Sequence, residues 1–301
     1  MADKFKITFL GTGDAIPSAN RNHSGFLVSY RDENLLFDCG EGIQRQFRKA
    51  RLNPCKLTKI LISHWHGDHI LGIPGILQTL ALSGYNKFLE IYGPKGTKKF
   101  MKEIFNTFVF TGKIKFKIHE VEEGKFFENN DFYLESKKMQ HGCPCNAYNF
   151  VIKGRVRIDK KKLEKLKISP GPHIKELKEG KDIFVCKKKY KSKDLVFVED
   201  SKKLSIVMDT KNNVGIVGFV KDADLLIIES TYDKDSLDLA KEHWHMTCVE
   251  DADIAKKAKV KMLALTHISQ RYSKNPKKLL DEAKKIFKNT ILPKDLDVVE
   301  L

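Results

Sequence analysis

His64, His66, Asp68 and His69 place three imidazoles and one carboxylate within six residues, in the run ISHWHGDHILG. Imidazole nitrogens and carboxylate oxygens ligate zinc, and also manganese or iron. The apolar run 59–62, KILI, reads as a buried strand leading into the cluster. Continued as a strand, it would point His64 and His66 to one face, because side chains alternate. Gly67 and Gly72 suit a turn that swings Asp68 and His69 to a second point nearby. Two adjacent ligand sets predict two metal ions rather than one.

Three distant residues are candidates to complete these sets. LSIVMDT, LLIIEST and KMLALTH read as apolar strands leading to Asp209, Glu229 and His267. Polar residues on loops at strand ends are where sites are usually built. His141 lies in HGCPCNAY (141–148), whose glycine and proline predict a loop. We expect His141 to join His64 and His66, and His267 to join Asp68 and His69. Asp209 would bridge, one oxygen to each ion. Two ions sharing a water lower its pKa enough to leave hydroxide near neutrality, a nucleophile for phosphorus. Cys143 and Cys145 flank Pro144 beside His141, and packing or turn roles are expected for them rather than ligation.

The elements that must position these residues alternate along the chain. Strands are expected at 4–10, 25–30, 34–40, 88–94, 114–121, 131–136 and 149–153, and helices at 41–51, 71–82, 95–108, 251–259 and 275–287. Two β-rich halves, each with helices, would pack sheet on sheet with helices outside. The 301 residues, 41% apolar, suffice for one large domain. No apolar run is long enough to span a bilayer, and the start, MADKFKITFLGTG, lacks a signal-peptide pattern. The six cysteines (Cys39, Cys55, Cys143, Cys145, Cys186, Cys248) form no paired framework, which fits a reducing compartment. A cytoplasmic location is expected.

The net charge of +16 argues for a polyanionic partner, nucleic acid before membrane. Residues 153–193 hold sixteen Lys and Arg against five Asp and Glu, a net +11. A uniform solubilising surface would not concentrate charge this way. Pro170-Gly171-Pro172 separates two short amphipathic pieces, so the segment reads as a projecting arm.

HWHGDH, with His141, Asp209 and His267 beyond it, resembles the His-x-His-x-Asp-His pattern of the metallo-β-lactamase superfamily. Within that superfamily the chain resembles the ribonuclease Z family, the tRNA 3′-processing endonucleases. The similarity rests on GTGDAIPSANRN, EGIQRQ (41–46), IEST (228–231), HMT (245–247), THISQRY and the basic segment with Gly171-Pro172. It covers nearly the whole chain. Ser18 and Ala19 stand where the family often has Thr and Lys, and Ile228 replaces a usual histidine.

The resemblance implies a single αββα sandwich over 1–301, with 153–193 inserted as a basic exosite arm. It implies two zinc ions (manganese or another divalent metal as alternatives), precursor tRNA as substrate and a homodimer. Hydrolysis just after the discriminator nucleotide would leave a tRNA 3′-hydroxyl and a trailer 5′-phosphate. Asp68 would ligate and handle the water's proton. His245, held protonated by Glu229, is the expected general acid, and His243 a bystander. Arg21, Asn22 and Arg271 are candidates to hold phosphates near the metals. Gly171, Pro172, Lys187, Lys188 and Lys189 are candidates to grip tRNA. Two rivals are a superfamily hydrolase of a small ester or phosphodiester and a non-catalytic RNA-binding subunit. A small-molecule enzyme has no use for the basic arm, and a degenerate subunit should lack ligands.

Overall fold

The computed structural model describes residues 4–110, 114–185 and 188–301. Two seven-stranded sheets form its centre. The first runs in the order Val298–Glu300, Lys6–Gly11, Gly25–Tyr30, Glu33–Phe37, Lys59–Leu61, Phe88–Gly93, Lys115–Glu120. Its first four strands pair antiparallel and its last four parallel. The second runs Thr290–Ile291, Leu263–Thr266, Leu225–Glu229, Lys202–Val207, Cys145–Ile152, Phe132–Met139, Gly124–Glu128. Here the first four pair parallel and the last four antiparallel.

The burial pattern explains the layers. Phe132–Met139 largely alternates buried and less buried positions, as a sheet with one covered face requires. Cys145–Ile152 is buried throughout, as befits a strand covered on both faces. Phe9, Phe26 and Phe37 of the first sheet meet Phe132, Tyr148 and Phe150 of the second in the central core. Phe37 and Tyr148 touch edge to face, with ring centroids 6.2 Å apart. Helices Ile43–Lys49, Ile73–Leu82 and Thr97–Thr107 cover the outer face of the first sheet. Val214–Phe219, Cys248–Lys257 and Lys277–Ile286 cover that of the second. The result is an αββα sandwich. Among the described residues no helix is long and apolar enough to cross a membrane.

The basic segment is folded. Arg155–Ile158 pairs antiparallel with Val196–Glu199, closing a unit that contains helices Lys160–Lys165 and His173–Lys178. A second ribbon pairs Ile183–Val185 with Lys188–Tyr190. Leu163, Ile168, Leu177, Ile183 and Leu195 form a small separate core. The lysines therefore decorate a packed unit, which runs to Glu199 rather than ending near 193. Cys186 and Lys187 lie outside the described residues.

Several local expectations differ from the structure. The strand ends at Leu61, so His64 and His66 are not strand neighbours. His66 instead caps a one-turn helix, Gly67–Ile70, where a turn was expected. The loop after His141 is shorter than 141–148, because the strand already begins at Cys145. Strand Gly124–Glu128 and helices Val214–Phe219 and Leu237–Glu242 were not anticipated. Each helix is six residues, too brief for a helical period to show, and the strand is largely exposed without apolar alternation.

Close packing fixes the histidine loop from below. A Cβ on Gly40 would lie 2.4 Å from the Asp68 carbonyl oxygen and 2.5 Å from the His23 Cβ. Gly40→Ala should therefore destabilise the fold by about 1–3 kcal/mol and reduce bound metal. Calorimetry with metal analysis would check this, and unchanged metal content would contradict it.

Candidate metal centre

The site lies where the parallel strands of both sheets end. Lys59–Leu61 leads to His64, His66, Asp68 and His69, while Glu33–Phe37 beside it leads to Asp38. In the second sheet, parallel strands Lys202–Val207, Leu225–Glu229 and Leu263–Thr266 bring up Asp209, Glu229 and His267. Parallel pairing puts all the C-terminal ends on one side, which is why Asp68 and His267, 199 residues apart in sequence, meet.

Two groups assemble. Potential ligand atoms of His64, His66, His141 and Asp209 lie within 4.8 Å of one another, and so do those of Asp68, His69, Asp209 and His267. Asp209 belongs to both. Its Oδ2 is 3.6 Å from His64 Nε2 and 3.9 Å from His141 Nε2. Its Oδ1 is 3.5 Å from His69 Nε2 and 3.3 Å from His267 Nε2. His64 Nε2, His69 Nε2 and Asp209 Oδ1 are buried without a hydrogen-bond partner among the described residues. Buried polar atoms are normally paired. Orphaned nitrogens converging on an orphaned carboxylate oxygen fit a bound cation, so the donor set suits a divalent metal.

The opposite ring atoms are held by the protein, as metal-binding imidazoles require. Asp38 Oδ2 lies 2.7 Å from His69 Nδ1 and accepts from Ser63 Oγ at 2.8 Å. Ser63 Oγ is in turn 3.0 Å from His64 Nδ1. The Trp244 carbonyl lies 3.2 Å from His141 Nδ1. Thr231 Oγ1 is 2.8 Å from His267 Nδ1 and donates to Glu229 Oε2 at 2.6 Å. Asp38, Trp244 and His267 all have left-handed backbones, with φ of 57°, 63° and 56°. Such strain concentrates at functional sites. Asp38, Ser63 and Thr231 escaped the sequence reading. The only local clue was their place at strand ends beside the ligands.

Charge in the site is shared between carboxylates and imidazoles. Burial alone would raise the Asp68 carboxyl, but His69 and His267 hold it well below the usual range. Burial and neighbouring His69 keep His64 well below its ordinary value, hence neutral and ready to ligate. Burial opposes protonation of His69 and His267, yet Asp209 and Asp68 outweigh it and raise both.

Beside the two groups stands a third. Glu229, fully buried, accepts from the backbone nitrogens of Thr210 at 3.0 Å and Met246 at 3.3 Å. Its Oε1 also lies 3.0 Å from His245 Nδ1. Burial disfavours the His245 cation, but Glu229 and Asp209 carry it up to about 9. His245 Nε2 faces the centre, 4.0 Å from Asp209 Oδ2.

A cleft of about 620 Å³ opens over the site, lined by Asp68, Asp209, His245 and His267, with Tyr232 and Arg271. His243, expected as a bystander, also lines it, its ring parallel to that of Tyr232. Arg271 reaches the cleft, with its guanidinium 5.0 Å over the Tyr232 ring. Arg21 and Asn22 do not line it. Arg21 Nη1 donates to Thr12 Oγ1 at 2.6 Å and the Pro293 carbonyl at 2.8 Å. The Asn22 amide nitrogen donates to the Glu41 carbonyl at 2.6 Å. Both hold the first loop onto the body. Gly171, Pro172, Lys188 and Lys189 sit on the basic unit, with Lys189 paired to Asp182 at 3.0 Å. Cys145 is buried and donates to the Asp209 carbonyl at 3.4 Å, a packing role.

Sandwich and site together define a metallo-β-lactamase-type fold. A Bacillus subtilis metallo-β-lactamase fold protein, YhfI, shares it at a TM-score of 0.71 with 23% identity, covering 99% of this chain and 100% of that one. A family profile described as "Anti-Pycsar protein Apyc1" matches residues 5–163, ending before Asp209, Glu229, His245 and His267. The human tRNase Z, short form, aligns at a TM-score of 0.71 with 28% identity, over 98% of both chains. "Ribonuclease Z" of Methanosarcina mazei is 35% identical over 300 residues, 98% of each sequence. "Ribonuclease Z" of Oceanobacillus iheyensis is 37% identical over 307 residues, 98% of this chain and all of the relative. The chain belongs to the ribonuclease Z family.

Two outcomes follow for metal binding. Below their raised pKa values His69 and His267 carry protons that a metal must displace, so affinity should climb as pH rises through that range. Asp38→Ala should weaken binding about 10- to 100-fold. Titration calorimetry across pH would check both, and a pH-independent affinity would contradict the protonation assignment.

Proposed function

We propose that the chain is an endoribonuclease that removes the 3′ trailer from precursor tRNA by cutting after the discriminator nucleotide. The observation that carries this reading is the paired ligand sets around Asp209, in a chain that also bears a folded basic unit. The relatives named ribonuclease Z and tRNase Z support the substrate. The donor set of imidazoles and carboxylates supports two zinc ions, one per ligand set, with Asp209 shared.

When bound, the ions supply a water of lowered pKa and positive charge against the phosphate. The chain's own groups do the rest. Asp68, a carboxylate at the cleft, would hold that water and accept its proton. In-line attack on phosphorus expels the tRNA 3′-oxygen, which needs a proton. His245 Nε2 donates it, and Glu229 holds the ring from Nδ1. Thr231 ties this pair to His267, so the acid and the second ligand set keep one geometry. Arg271 at the cleft wall is placed to hold a phosphate.

The basic unit would act through phosphate contacts and shape, since an RNA helix hides its base edges in a deep groove. A second copy presenting this unit to the first copy's cleft is the homodimer arrangement we favour. Its two ends meet, because a Cβ on Gly154 would lie 2.8 Å from the Glu199 carbonyl oxygen. The unit can therefore be excised cleanly as 155–199. Wild type should cut a 3′-extended tRNA directly after the discriminator. Excision should raise KM for that RNA about 10-fold or more while sparing bis-p-nitrophenyl phosphate, with binding losing much of its salt dependence. Equal losses on both substrates, or cuts elsewhere, would sink the assignment.

The acid role predicts an alkaline limb. At saturating metal the rate should fall as pH rises through about 9, where His245 loses its proton. Glu229→Gln should move that limb down by about one unit or more. An unmoved limb in the variant would reassign the proton donor.

A further inference from the structure

Both tryptophans of the chain lie in His-Trp-His tripeptides, at 64–66 and 243–245. Their environments differ. Trp65 packs on Phe100, with ring centroids 5.1 Å apart, and donates its Nε1 hydrogen to Thr97 Oγ1 at 2.8 Å. That is a structural indole. Trp244 is 41% exposed. It sits just past the end of helix Leu237–Glu242, with φ +63°. This position takes glycine by default, because a Cβ there is strained. A half-exposed indole gains little burial to offset that strain, so its retention needs another reason.

The surroundings supply one. The Trp244 carbonyl orients His141, and its neighbours His243 and His245 both line the cleft. The Lys211 ammonium lies 3.7 Å from the indole centroid. The Lys211 backbone nitrogen donates to the Gln140 carbonyl at 2.8 Å, so this cation is anchored to the same ligand loop. An exposed aromatic ring paired with a lysine ammonium beside a phosphodiester site is the combination that holds unpaired nucleotides.

We propose that Trp244 and Lys211 form a subsite for the first unpaired nucleotide 3′ of the scissile phosphate. The indole stacks on its base, and the ammonium turns to the next phosphate. This rests on the tRNA-processing reading above. The trailer side is favoured because the discriminator base can already stack on the end of the acceptor stem, whereas the next base has no such partner. Stacking is indifferent to base identity, which suits trailers of varied sequence.

The test is a coupling experiment on full-length protein with divalent metal. Precursor tRNAs carry a normal or an abasic first trailer nucleotide, and a third set is abasic at the discriminator. Trp244→Gly removes the ring, keeps the carbonyl on His141 and relieves the backbone, so its melting temperature should not fall. Trp244→Phe keeps a ring. For the normal RNA, Trp244→Gly should lose about 5- to 100-fold in kcat/KM, and Trp244→Phe should recover most of it. The abasic trailer should cost wild type a similar factor and cost Trp244→Gly nothing more. Independent, multiplicative losses would overturn the subsite, and coupling to the discriminator instead would overturn its trailer assignment. Failure of wild type to cut any of these RNAs would overturn the tRNA reading as well, whereas cutting without coupling overturns this inference alone.

Discussion

Asp209 is the constraint around which the rest of the structure is arranged. Its two oxygens face opposite ligand sets, and both sets are incomplete without it. It is almost fully buried, as are His64, His69 and His267. Burying an ionised carboxylate is expensive unless it is paired or coordinates a metal. Its histidine neighbours meet part of that cost. Among the described residues His64 Nε2, His69 Nε2 and Asp209 Oδ1 have no hydrogen-bond partner, and a divalent cation there would complete the balance. Metal binding and folding are thus coupled through one side chain.

The sandwich exists in a form that serves this cluster. Each sheet is antiparallel on one side and parallel on the other, and the parallel strands deliver residues at one edge. Segments that follow those strands carry His64, His66, Asp68, His69, Asp209 and His267, while His141 follows the antiparallel strand Phe132–Met139 and His245 the helix Leu237–Glu242. The left-handed backbones at Asp38 and His267 lie in such segments. Thr231 links His267 to the Glu229–His245 pair, so geometry is shared rather than set residue by residue.

The sequence made the chemistry more legible than its supports. His64 to His69 are readable because four ligating types crowd into one short run. Asp209, Glu229 and His267 are readable because apolar strands lead to them. Asp38 and Ser63 are not, since their role is defined by hydrogen bonds formed only when two strands lie side by side. Arg21 shows how little a loop residue's partners can be read in advance. A loop arginine looks available for phosphate until Pro293, far along the chain, supplies a carbonyl to hold it. The basic segment announced its charge but not its packing, because Leu163, Leu177 and Leu195 are spread too thinly among lysines for a core to show.

The central claim is that Asp209 divides two metal positions. Anomalous scattering from crystals grown with zinc tests it most directly. The account predicts two peaks per chain. One should lie between His64, His66, His141 and Asp209 Oδ2, the other between Asp68, His69, His267 and Asp209 Oδ1. A single peak, or a second peak away from Asp209, would contradict it.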